Sequence, residues 1–137
     1  MSDRLVGSEM CIRDRGYYPQ IIVPKALEIG PRLLNTFTTA YKFGIKIAFG
    51  TDSGVSYHGE NAKEFQYMVK GGMSEMEAIR SATVVASELL GIDDKLGTIE
   101  SGKIADIIAV TGNPVKDITS LQSVVFVMKE GIIYKSE

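Results

Sequence analysis

Apolar residues recur at helical spacing in the first part of this chain and gather into short β-rich runs in the last part, and the change divides it. Pro24 suits the first turn of a helix continued by Lys25 to Ile29, and Gly30-Pro31 is expected to interrupt it. A second helix is predicted from Pro31 to Phe43. Leu33, Leu34, Phe37, Ala40 and Tyr41 form its apolar stripe, and Gly44 is its stop. The all-apolar run Ile45–Phe49 then reads as a buried strand. Residues 61–70 return to helical spacing, with Ala62, Phe65, Met68 and Val69 on one face and Gly71-Gly72 at the end. Ser74 with Glu77 three residues on is a capping box that starts a helix near Glu75. Met76, Ile79, Ala86, Leu89 and Leu90 supply its apolar positions up to Gly91, with a break near Ser81–Thr83.

Beyond Gly91 the texture changes to short β-rich runs punctuated by Gly97, Gly102, Gly112, Pro114 and Gly131. Ile104–Val110, Val124–Met128 and Ile132–Tyr134 read as strands, the last two joined by the hairpin-sized Lys129-Glu130-Gly131. This places a boundary near 91–97, between an α/β part (16–91) and a small β part (92–137). Residues 1–15 fit neither. They show no sustained apolar period, and Leu5 to Arg15 resembles translated adapter read-through. They are expected to be a non-native or disordered leader outside the fold.

Composition narrows the picture little. A chain of 137 residues with 45% hydrophobic and 23% charged positions can build a core. A net charge of −2 gives no reason to expect nucleic acid or an anionic membrane as partner, and no apolar run approaches a membrane span. One cysteine, Cys11, allows no internal disulfide or cysteine-rich metal site. One histidine cannot furnish a polyhistidine zinc site.

Candidate chemistry sits where the Ile45–Phe49 run ends. Gly50-Thr51-Asp52-Ser53-Gly54 delivers a carboxylate to that end, and His58 follows in the same loop. A polar group at the C-terminal end of a strand, on a loop leading to a helix, is where α/β barrels perform catalysis. The plainer reading of Asp52 and Ser53 is that they shape the turn.

Taken together, Gly50-Thr51-Asp52-Ser53-Gly54, His58-Gly59 with Asn61 and Glu64, Gly71 with Met73-Ser74 and Glu77-Ala78-Ile79, Ala82-Thr83 through Leu89-Leu90-Gly91, and Leu96-Gly97 through Ala105-Asp106 resemble the end of metal-dependent amidohydrolases of the imidazolonepropionase-like and dipeptidase branch. Asn113-Pro114 and Val127-Met128-Lys129 with Gly131 continue the likeness, which spans about 17–136. The resemblance implies a C-terminal fragment of a (β/α)₈ TIM barrel plus part of a small β-sandwich domain. Ile45–Phe49 would be the eighth strand. It also implies a divalent metal, zinc by preference, as one or two ions in the intact enzyme, with none expected on the fragment alone. Asp52 matches the aspartate that binds metal and carries the proton of the attacking hydroxide. His58 is assigned to substrate, with an exposed loop histidine as the plainer reading. Asn61 and Glu64 are read as organising the next helix, and Asp106 as structural.

The same resemblance marks what the chain lacks. The family's histidine pair after strand one, its bridging lysine and its later histidines have no counterpart here, and a barrel usually needs about 250 residues. The implied reaction is hydrolysis of C–N bonds in small amides, cyclic amides or dipeptides by metal-activated hydroxide, with this chain alone inactive. The alternative is a non-catalytic fragment that assembles with another chain. An enzyme using Asp52 as nucleophile is weaker, since no accompanying lysine or second aspartate supports it. Self-association through open strand edges is expected. Cytoplasmic placement is expected, with secretion or a periplasmic location the alternative, because the native N-terminus is read as missing.

Overall fold

The computed structural model describes residues 23–51 and 59–137; the expectations for residues 1–15, Asp52 and His58 lie outside them. The described elements are α1 (Val23–Lys42), α2 (Lys63–Lys70), α3 (Glu75–Ala82), α4 (Val84–Leu90), β1 (Ile107–Val110), a 3₁₀ turn (Ile118–Gln122), β2 (Val124–Lys129) and β3 (Ile132–Ser136). They fall into two units. One holds the chain up to Ile45 with Gly50–Met73; the other holds Lys46–Phe49 with Ser74–Glu137.

In the first unit α1 is continuous, with Pro31 inside it. This corrects the break expected at Gly30-Pro31. Proline normally disfavours a helical residue before it because its ring strikes that residue's Cβ. Gly30 has no Cβ, and the proline φ is itself helical. The expected stripe holds: Leu33, Leu34, Phe37, Ala40 and Tyr41 are half-buried, while Arg32, Asn35, Thr36, Thr39 and Lys42 are exposed. Helix α1 ends as its sequence predicts. Gly44 takes φ +75°, its N–H donates to Tyr41 O (2.9 Å), and Ile45 N–H donates to Ala40 O (3.2 Å). That is the paired closure of a Schellman motif, which needs a left-handed residue at this point.

Helix α2 ends by the same bond pattern. Gly72 N–H donates to Val69 O and Met73 N–H to Met68 O. Met68 and Met73 are buried on this unit's inside. The ring of Phe37 lies against Gly71, where a side chain would collide with it.

In the second unit, Ser74 caps α3 as expected. Its Oγ accepts from Glu77 N–H (3.3 Å), and Glu77 Oε2 accepts from Ser74 N–H (3.1 Å). The break falls at Thr83, whose φ of −120° and ψ of −88° leave the helical region. The buried face differs from the expected one. Ala78, Ser81 and Ser87 are its buried residues, whereas Met76, Leu89 and Leu90 are exposed. Small residues win here because backbone comes close. A Cβ placed on Gly97 would sit 2.9 Å from Ser87 Cβ and 3.2 Å from Thr83 O. Beside this contact Thr98 Oγ1 is buried, with no hydrogen-bond partner among the described residues.

Residues 45–49 are the other correction. They are not paired as a strand with any described residue. A strand is held by ladder bonds to a neighbour, and what this segment shows instead is Phe49 N–H donating to Ser81 O (3.0 Å) and Lys46 paired with Glu88 (2.8 Å).

The described sheet is antiparallel in the order β1-β2-β3. Ile108 faces Val127 across β1 and β2, and Lys129 faces Ile132 across β2 and β3. Strand β1 begins at Ile107, later than the expected Ile104. The turn between β2 and β3 places both Glu130 (φ +51°) and Gly131 (φ +78°) in the left-handed region, the geometry of a two-residue hairpin. Asp106 supports it: its Oδ1 accepts from Glu130 N–H at 2.7 Å, so its structural role is seen directly. Ile118 and Leu121 of the 3₁₀ turn are buried, and the turn packs against β1. No helix among the described residues is long and apolar enough to cross a membrane.

Candidate functional site

The segment that carries Asp52 and His58 is framed by described residues on both sides. Before it stands Thr51, half-buried; after it come Gly59, Glu60 and Asn61. Asn61 Nδ2 donates to Thr51 Oγ1 at 3.1 Å, joining residues ten apart in sequence. Behind this bond the chain turns into α2. Lys63 N–H donates to Glu60 O (2.9 Å) and Glu64 N–H to Asn61 O (3.1 Å), and helical residues begin at Lys63 rather than Asn61. Ala62 at the N-cap makes no side-chain cap, so the first turn is held by these backbone bonds. Glu64 is buried in the first turn of α2, with Met68 buried one turn further on.

Asn61 was expected to serve the following helix. Its carbonyl does so, but its side chain reaches across to the residue that precedes Asp52, a relation that spacing along the sequence does not reveal. Thr51 was not singled out, and the only signal available was its place between the apolar run and the aspartate. Lys63 pairs with Glu60 at 3.3 Å, an (i, i+3) contact with little weight in stability.

A divalent metal needs several donors converging on one point, and catalytic zinc normally takes roughly three protein ligands. Among the described residues no group of His, Cys, Asp and Glu side chains is arranged to hold a metal ion. The only histidine of the sequence, His58, lies with Asp52 between Thr51 and Gly59.

Residues 6–135 match the amidohydrolase family. The chain belongs to that family. Ochratoxinase of Aspergillus niger is 38% identical over 107 residues, covering 74% of this chain and 22% of the relative. A solved Xaa-Pro dipeptidase with bound methionine in its active site is 50% identical, with a TM-score of 0.85 over 96% of this chain and 33% of that one. A prolidase complexed with N-methylphosphonate-L-proline superposes with a TM-score of 0.84 at 27% identity, over 98% of this chain and 34% of that one. The resemblance drawn from the motifs, including its dipeptidase-like branch, is borne out by these matches. The chain spans about a third of the length of these solved relatives and 22% of the curated one.

Proposed function

We propose that this amidohydrolase-family chain is the C-terminal part of a (β/α)₈ barrel, with part of a β-sandwich, from a metal-dependent hydrolase of C–N bonds in small amides or dipeptides. Asp52 is its metal ligand and proton carrier, and His58 faces the substrate. The observation that carries this reading is the likeness to the Xaa-Pro dipeptidase, 50% identical across 96% of the chain. The placement of Asp52 at the end of the Ile45–Phe49 run, with Thr51 tied to Asn61, agrees with it.

When bound, a divalent metal lowers the pKa of water to about 7, making hydroxide available near neutrality. The chain's own part is narrower. A carboxylate at Asp52 takes a proton from the attacking water and returns it to the leaving amine, which requires hydrogen-bond reach to both. One carboxylate fits a single position of a metal's donor set, so the chain alone is proposed to be inactive.

The test is hydrolysis of an Xaa-Pro dipeptide by the purified chain with added zinc or manganese, expected to give no turnover. Co-expression with the preceding two-thirds of a related dipeptidase is expected to restore it, and Asp52→Asn to abolish it again. Turnover by the complemented pair that survives Asp52→Asn would overturn the assignment.

A further inference from the structure

We draw no further inference here: the strongest candidate, the exposed apolar surface of Ile132, Ile133 and Tyr134 on the outer strand β3 of the described sheet, carries none because nothing in the structure shows what covers it.

Discussion

Size and burial are inverted between the α3–α4 seam and the outer strand of the sheet. In the seam the most enclosed residues are small: Ala78 is 0% exposed and Ser81 1%. On β3 the large residues face outward, with Ile132 60% and Tyr134 69% exposed. Hydrophobicity alone would have arranged these the other way. At Ser87 the close approach of Gly97 leaves room for only a small side chain. The strand is set by what lies beside it, and among the described residues β3 has a neighbour on one edge only. An exposed apolar strand edge invites pairing with another chain.

The sharpest way to break this contrast is to enlarge the seam. Gly97→Ala adds a methyl where Ser87 and Thr83 O already stand within contact distance, at a backbone φ of +98°. Overpacking and left-handed strain together should lower unfolding stability by about 3 kcal/mol. Gly102→Ala is the control. Its φ is also positive, at +93°, but nothing lies within 4 Å of the added carbon, so about 1 kcal/mol of strain should be its whole cost. Urea unfolding of both variants checks this. Equal losses would mean that backbone conformation, not close approach, keeps glycine at 97.

The seam also shows where sequence reasoning reaches and where it stops. Helix ends were legible because their determinants are local: Gly44, Gly72 and Gly91 stop helices, and Ser74 with Glu77 starts one. Strand identity in 124–136 was legible from short runs of β-branched and aromatic residues and a hairpin-sized connection. The buried face of α3 and α4 was not. At Ser87 the small residue is set by Gly97, which lies outside both helices, whereas apolar counting favoured Met76, Leu89 and Leu90. Pro31 misled in part for a local reason, since Gly30 lacks the Cβ that proline's ring strikes in a helical residue before it. At the candidate site Asp52 stood out by its place in a motif. The Asn61–Thr51 bond is a contact across a loop, and no spacing rule encodes it.

The outward face of β3 can be tested from the other side. Ile132 and Tyr134 are both exposed on this strand. The isolated chain is expected to self-associate at micromolar concentration and neutral pH, as measured by light scattering. Replacing both residues with lysine should weaken association by about 2 kcal/mol, roughly thirtyfold in dissociation constant, through loss of the apolar area they would bury. A wild-type chain that stays monomeric and melts cooperatively would show that this edge needs no cover. The contrast with the seam would then be one of size only.

The smallest expected effect lies on the polar surface of the second unit and serves as a baseline for the other two. Asp117 precedes the 3₁₀ turn, and its Oδ1 accepts from Thr119 Oγ1 (2.6 Å) and Thr119 N–H (2.9 Å). The Thr119 hydroxyl first, and the Thr119 amide second, stabilise the charged form and hold this carboxyl below the ordinary aspartate value of 3.8. A folded-state pKa lower than the unfolded one means that the unfolded chain binds the proton more tightly. The charged group therefore contributes stability above the unfolded pKa, and that contribution fades as pH falls through the folded value. Because the carboxylate is fully exposed, solvent screens it and the effect is small. Asp117→Asn keeps the acceptor geometry but not the charge, and protonated aspartate closely matches asparagine in shape. Wild type should be slightly the more stable at neutral pH, and the two unfolding curves should converge as the solution is acidified below the aspartate range. A gap that keeps its size throughout would mean that the asparagine changes the turn itself and that the charge on Asp117 is without consequence there.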